Sequence, residues 1–371
     1  MSKKTLNIAL TWWGSGGHIL PLISLLQMID ETEGYRQKVD HLYRFGEKKG
    51  MEYTFFQKYK ESFQSIHPQF ISILAGKYRR ETIWISRWRN LRDVFLFPLG
   101  IIQSIRHILT KKIDVIFCKG WYVSLPVVIA AWICRRQIYV HDSDTTPGLT
   151  TRLASRFATQ NFSGFPDTLP QTIVVWQILS SGLVAQVSQF PFQIPDDKLL
   201  ILVAGGSLGA QKLYKAVLKA TATDPWFVEH CVIVIVNGQH LIDANDLPKN
   251  HDHIIITDLI TEQAIMWWLY RRADIAVVRG GTTTLAECKL FDTPLVIVPL
   301  PVTHDQQKNA EFYVDNFGDI LISQNDPEFV QKLYSSLANI TSKHITTSTD
   351  KIKEKIAQAK ITILDRMLLW R

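Results

Sequence analysis

Residues 6–21, LNIALTWWGSGGHILP, run from a short apolar segment into Gly14, Gly16 and Gly17 and then a histidine, His18. An apolar run that stops at glycines and resumes in a helical pattern reads as a buried parallel strand turning into a helix. Glycines at such a turn let the backbone approach a ligand closely, and the helix that follows points its free N–H groups at it. The pattern recurs at residues 199–211, LLILVAGGSLGAQ, where Gly205, Gly206 and Gly209 form the turn. A third instance, VVRGGTTTLAE at residues 277–287, sets Gly280 and Gly281 before three threonines.

Outward from these turns, apolar runs alternate with helix-like stretches. In residues 6–162 the strands expected are LNIALTW, VDHLYRF, FISIL, IDVIFC and QIYVH. After a Pro-rich, polar passage around 163–170, the second series is LLILVAG, CVIVIVNG, HIIIT, DIAVVRG and PLVIVPL. Such alternation makes parallel sheets covered by helices. The expectation is an α/β chain of two doubly wound, Rossmann-like domains facing a cleft. Their expected bounds are 1–165 and 166–345, with 346–371 a C-terminal helix that packs back on the first domain.

The size agrees, since 371 residues with 46% apolar content exceed one ordinary core. A net charge of +7 calls for an anionic partner: nucleotide, nucleic acid or anionic lipid. Cys118, Cys134, Cys231 and Cys288 are far apart and form no C-x-x-C pair, so buried reduced thiols are expected rather than a zinc site. The N-terminal apolar run breaks at glycines without a cleavage-like site, which makes it a strand rather than a signal peptide. The longest apolar stretch, VSLPVVIAAWIC at 123–134, falls short of the about 20 residues a membrane-spanning helix needs.

None of the glycine turns has the G-x-x-x-x-G-K-[ST] phosphate-loop pattern, which disfavours ATP hydrolysis, and the first is not a clean G-x-G-x-x-G dinucleotide fingerprint. At the third, Thr284-x-x-Glu287 fits a capping box that ties down helix N-terminal amides. Glu287 equally fits a carboxylate that accepts two hydroxyls of a sugar diol.

Six segments in order resemble the MurG family of glycosyltransferases: GSGGHILP, GWYVSLP, TPGLT, GGSLGA, RGGTTTLAE and DQQKNA. They are similar to that family's G-x-G-G-H-x-x-P, G-G-Y-V-S-x-P, V-P-G-L-x, G-G-S-x-G-A, R-S-G-A-x-T-x-x-E and H-Q-x-x-N-A. The resemblance implies the two-domain GT-B fold. It also implies transfer of N-acetylglucosamine from UDP-N-acetylglucosamine to a lipid-linked muramoyl-peptide, the lipid I to lipid II step of peptidoglycan synthesis. On that resemblance the donor diphosphate would lie against Gly205, Gly206, Ser207 and Gly209 and the helix start at Gly281 and Thr282. Glu287 would hold the ribose diol, and Gln306 and Asn309 the sugar hydroxyls. Ser15, Gly16, Gly17, Tyr122, Asp142 and Asp144 would face the acceptor, with His18 as general base. Displacement at the anomeric carbon would invert it, helix N-termini would stabilise the departing UDP, and no metal or other cofactor would be required.

Departures from the family pattern fall at particular places. HDSD at 141–144 stands where the family has H-E-Q-N, so Asp142 keeps a carboxylate on a shorter arm and Asp144 replaces a neutral amide. In isolation Asp142-Ser143-Asp144 also looks like a metal-binding D-x-D. SSGLVAQ lacks the arginine of the family's G-N-P-[IV]-R, and THDQ exchanges His304 and Asp305 relative to D-D-H-Q.

Residues 77–112 combine lysines and arginines with Trp84, Trp88, Phe95 and Phe97. Arginine beside tryptophan suits an anionic membrane surface, and the resemblance implies a peripheral enzyme on the inner face of the cell membrane working on a polyprenyl-diphosphate acceptor. The other reading of the segment is a surface helix whose aromatics join the core; no RNA or DNA module accompanies it. Three other functions stay open: a UDP-sugar transferase with another lipid acceptor, since related glycosyltransferases share the donor motifs; a UDP-N-acetylglucosamine epimerase, which uses a similar two-domain fold; and a non-catalytic sugar-nucleotide binder, to which the missing arginine and the altered HDSD point.

Overall fold

The computed structural model describes residues 5–11, 16–47, 63, 65–76, 84–180, 192–206, 209–238, 242, 247, 251–260, 262–301, 303–341 and 349–369. The chain forms two compact units, one of Met1–Leu179 with Ala357–Arg371 and the other of Ser180–Ile356.

The first unit runs β1 (Leu6–Thr11), α1 (Gly16–Glu31), α2 (Glu33–Arg36), β2 (Val39–Gly46), β3 (Gln69–Ser72), α3 (Trp84–Thr110), β4 (Val115–Cys118), α4 (Ser124–Ile133), β5 (Gln137–Asp142), α5 (Leu149–Ala154), β6 (Gln160–Ser163) and β7 (Thr172–Val174). Its strands are all parallel, in the order β3-β2-β1-β4-β5-β6-β7. β1 and β4 are apolar almost throughout because a parallel sheet is covered on both faces. The passage at 163–170 that reads as a linker lies inside this unit: β7 pairs with β6 and extends the sheet. β6, QNFS, carries no apolar run, and the buried Asn161 donates its side-chain amide to the carbonyls of Ser155 (3.2 Å) and Pro170 (2.9 Å).

The second unit runs β8 (Leu199–Ala204), α6 (Gln211–Thr221), α7 (Pro225–His230), β9 (Cys231–Val236), β10 (Ile254–Thr257), α8 (Gln263–Arg272), β11 (Ile275–Val278), α9 (Thr282–Leu290), β12 (Leu295–Ile297), α10 (His304–Phe317), β13 (Ile320–Leu321) and α11 (Phe329–Leu337). Its strands are also parallel, in the order β10-β9-β8-β11-β12-β13. α6 exposes Lys212, Lys215 and Lys219 and buries Leu213, Tyr214 and Val217, the spacing of one apolar and one polar helix face. α7 starts where the Asp224 carboxylate accepts the Trp226 amide at 2.9 Å, with Pro225 in the first turn. α10 stops at Gly318, whose φ of +70° supplies the left-handed cap.

The final helix, α12 (Thr349–Leu368), lays Ala359, Ile363, Leu364, Met367 and Leu368 into the core that α1 builds with Leu22, Leu25 and Ile29. Burial of each large aliphatic there contributes about 1.5–3 kcal/mol. Cys118, Cys231 and Cys288 are buried, Cys134 is half-buried, and all four are free thiols.

Candidate active site

In an open parallel sheet, ligands bind beyond the carboxyl ends of the strands where the strand order reverses. In the second unit that point lies between β8 and β11, and both run into glycine turns. After β8, Gly206 (φ +78°) and Gly209 (φ +79°) adopt the left-handed backbone, and the Gly209 amide donates to the Gly206 carbonyl at 2.9 Å. Under this turn lies Gly238, just past β9; a Cβ there would stand 2.1 Å from the Gly209 nitrogen. Gly238 was missing from the residues the sequence singles out, although an Asn-Gly pair closing an apolar strand is itself a turn signal.

After β11, Gly281 caps α9 with extended backbone (φ −78°, ψ 121°), and Thr282 opens the helix. Thr284 is therefore inside the first turn of α9 and cannot cap it, which removes the capping-box reading of Thr284 and Glu287. Thr284 instead bonds the Tyr270 hydroxyl, and that hydroxyl bonds the Glu287 carboxylate. Burial pushes Glu287 up to about 8, with the Tyr270 bond opposing the shift. Tyr270, on α8, is a residue the sequence reading missed. Asn309 is 1% exposed and donates to the Gly280 carbonyl at 3.2 Å, so it holds the turn. Gln306 accepts the Leu300 amide at 3.0 Å, and its own carbonyl lies 2.3 Å from where a Cβ on Gly280 would be. Arg279 is likewise structural, bonding the Val298 carbonyl (3.0 Å) and Gln324 (2.7 Å).

In the first unit the strand order reverses between β1 and β4. Gly16, Gly17 and His18 begin α1; the His18 side chain lies outside the described residues, as do Ser15, Ser207 and the side chains of Trp84 and Trp88. Directly after β4 comes Lys119, whose amide donates to the Thr11 carbonyl at 3.0 Å, followed by Gly120 (φ +88°) and Trp121 (φ +72°). Trp121 thus holds a glycine-like conformation at the place where the MurG pattern has glycine. The Ser124 hydroxyl donates to the Gly120 carbonyl at 2.5 Å and locks the turn. Tyr122 donates to Glu47 at 3.2 Å.

At the end of β5, Asp142 accepts the Asp144 amide at 2.9 Å, an Asx turn, and is also bonded by Thr151. Burial first, and then Asp144, push Asp142 up to about 7. The two acids of the D-x-D pattern are thus drawn together by a backbone turn. Among the described residues no group of three or more metal-ligating side chains is assembled.

On α3, Val94 (64%), Phe95 (68%) and Ile102 (63%) are exposed and Leu99 is too, whereas Phe97 is half-buried. Phe95, Leu99 and Ile102 recur at helical spacing and so share one face. Among the described residues no helix is long and apolar enough to cross a membrane.

Two family models match the chain: the glycosyltransferase family 28 N-terminal domain over residues 8–163 and the glycosyltransferase family 28 C-terminal domain over residues 200–364. A Streptococcus thermophilus protein named UDP-N-acetylglucosamine–N-acetylmuramyl-(pentapeptide) pyrophosphoryl-undecaprenol N-acetylglucosamine transferase is 30% identical, covering 84% of this chain and 83% of its own. A protein of the same name from Shouchella clausii is 27% identical, covering 95% and 99%. The crystal structure of Acinetobacter baumannii MurG superposes with a TM-score of 0.68 at 21% identity, covering 98% of this chain and 99% of that one. Two parallel sheets, each with glycine turns at its reversal point, are the two-domain GT-B architecture, and the chain belongs to glycosyltransferase family 28 and, within it, to the MurG family.

Proposed function

We propose that this protein is an inverting hexosyltransferase that moves N-acetylglucosamine from UDP-N-acetylglucosamine to a polyprenyl-diphosphate-linked muramoyl-peptide, converting lipid I to lipid II. The observation that carries the reading is the pair of glycine turns beyond β8 and β11, with buried Glu287 on the helix that the second turn opens. Backbone amides at Gly206 and the start of α9 suit a diphosphate, and the Glu287 carboxylate suits the ribose diol beside it. Gly281 belongs to the second of these turns, and Ser207 stands between Gly206 and Gly209 in the sequence. Asn309 and Gln306 support the second turn from α10, so their contribution to sugar binding is made through Gly280.

In the reaction, His18 takes the proton from the attacking acceptor hydroxyl. The hydroxyl oxygen bonds to the anomeric carbon as the bond to the UDP oxygen breaks. UDP leaves with the electron pair and with inversion at that carbon. The positive end of α9 stabilises the departing charge. Ser15, Gly16, Gly17, Tyr122 and the residue 141–144 turn line the acceptor side in this reading, and UDP-N-acetylglucosamine is the donor with no further cofactor.

The apolar face of α3, flanked by basic residues, suits adsorption to an anionic bilayer and supports the reading of a peripheral enzyme on the inner face of the cell membrane. Co-sedimentation with phosphatidylglycerol vesicles reads this directly, and Phe95→Ser with Ile102→Ser should weaken it about tenfold or more.

The test of the activity is incubation with UDP-N-acetylglucosamine and a short-chain lipid-linked muramoyl-peptide, followed by mass spectrometry of the lipid. A gain of one N-acetylhexosamine that is lost in His18→Ala supports both reaction and base. UDP binding without any gain in the lipid would overturn the acceptor assignment, and free N-acetylmannosamine or its UDP derivative would mark an epimerase.

A further inference from the structure

Lys119 is 4% exposed, at the carboxyl end of β4 and beside the end of β1. Its ammonium lies 2.8 Å from His141 Nδ1 and donates to the Ser143 hydroxyl. Asp142 and Asp144 are both near enough to act on it electrostatically. Burial pushes the lysine down to about 8, and Asp142 and then Asp144 push it back up. The same turn is held from its other side, where Gln177 donates to the Ser143 carbonyl at 2.8 Å. Gln177 reaches it only because residue 164 is glycine, whose Cβ would stand 2.1 Å from the Gln177 amide nitrogen.

The acid at 144 is the feature of this turn that departs from the MurG pattern, and an ammonium is built against the turn that carries it. A carboxylate at 144 beside a diphosphate-bearing acceptor would repel it; an ammonium inside the turn offsets that repulsion, and the acids of the turn offset the cost of burying the lysine.

We propose that Lys119 is a positioning residue for acceptor binding: it fixes His141 and Ser143 and serves as the internal counter-ion that lets Asp144 stand in the acceptor-side turn. This rests on the transferase reading above. Lys119 then governs the acceptor step and has no part in donor binding, since it belongs to the first unit and the donor turns to the second.

The experiment compares the full-length protein with Lys119→Met, Asp144→Asn and the double variant, measuring KM for each substrate, kcat and the urea midpoint. Lys119→Met should raise the acceptor KM about tenfold and leave the UDP-N-acetylglucosamine KM within about twofold, and adding Asp144→Asn should recover most of that loss. The urea midpoints should be non-additive in the same direction, a readout that needs no acceptor. If Lys119→Met leaves the acceptor KM unchanged, raises both KM values equally, or is not relieved by Asp144→Asn, the proposal is wrong while the transferase reading stands. If the wild-type protein transfers nothing, the transferase reading falls, and additive midpoints would then overturn the pairing of Lys119 with Asp144 as well. Should Lys119→Met fail to fold, the double variant folding alone supports the pairing, and its failure as well overturns it.

Discussion

The Tyr270 hydroxyl donates to the Glu287 carboxylate while accepting from Thr284, so a side chain on α8 sets the position of an acid on α9. Glu287 is 9% exposed and Tyr270 3%. A carboxyl that must meet a sugar diol in one orientation gains from such a fixed donor, because the order is in place before the ligand arrives. Tyr270→Phe should therefore raise the KM for UDP-N-acetylglucosamine about fivefold with little change in kcat, and cost about 1–2 kcal/mol of stability. A lowered urea midpoint with an unchanged donor KM would mean that the bond serves the fold alone.

Glu287 also links stability to pH. Burial pushes its carboxyl up from 4.5 to about 8, so between those values the folded chain holds a proton that the unfolded chain releases. The stabilisation from this group is present below the lower value and is lost as pH rises through the upper one. Glu287→Gln keeps an acceptor for Tyr270 and removes the titration. Its melting temperature should match the wild type near pH 4 and exceed it at pH 9 by about 2–4 °C or more. Thermal scans of both proteins at four pH values decide it; a constant offset would exclude the linkage.

Much of the frame was legible because a strand covered on both faces must be apolar along its length. LLILVA and CVIVIV announce themselves in this way, and the glycines after LLILVA mark the turn that follows. β6 did not, since its Asn161 is paid for by two carbonyls rather than by apolar neighbours, and β13 has only two residues. The helix start at residues 280–284 was ambiguous, because Gly-Gly-Thr-Thr-Thr offers several capping positions; choosing Gly281 moved Thr284 off the cap and onto Tyr270. Lys119 was missed because its partners arrive from the next strand. The available signal was a charged residue directly after a fully buried strand, VIFC.

Trp121 is 43% exposed and has φ +72°, a conformation that disfavours a bulky residue. Glycine there relieves about 1–2 kcal/mol of backbone strain, which alanine retains. Trp121→Gly should accordingly be more stable than Trp121→Ala by about 1 kcal/mol in urea unfolding, although both lose the ring. If the ring is kept for acceptor binding, both variants should raise the acceptor KM to the same extent. Equal stabilities for the two would show that the turn relaxes without cost.

The closest backbone approach in the donor turns is made by Gly238, and it offers the sharpest test of their role. A Cβ at this position would meet the Gly209 nitrogen at 2.1 Å, the Gly209 Cα at 2.5 Å and the Gly206 oxygen at 2.7 Å. All three are main-chain atoms, so no side chain can swing aside, and the turn after β8 must shift. Gly206 and Gly209 already hold left-handed backbone, which leaves the turn few ways to move. A displacement approaching 1 Å in a group that positions a substrate can cost about a hundredfold in rate. Gly238→Ala should weaken UDP binding by about tenfold or more in calorimetry on the full-length protein. Gly34→Ala is the control: no atom lies within 4 Å of its Cβ, and it sits in the short helix α2, where alanine is tolerated or mildly stabilising. Wild-type UDP affinity in Gly238→Ala would mean that the nucleotide does not rest on the Gly205–Gly209 backbone, and the donor site would have to be sought elsewhere on the second sheet.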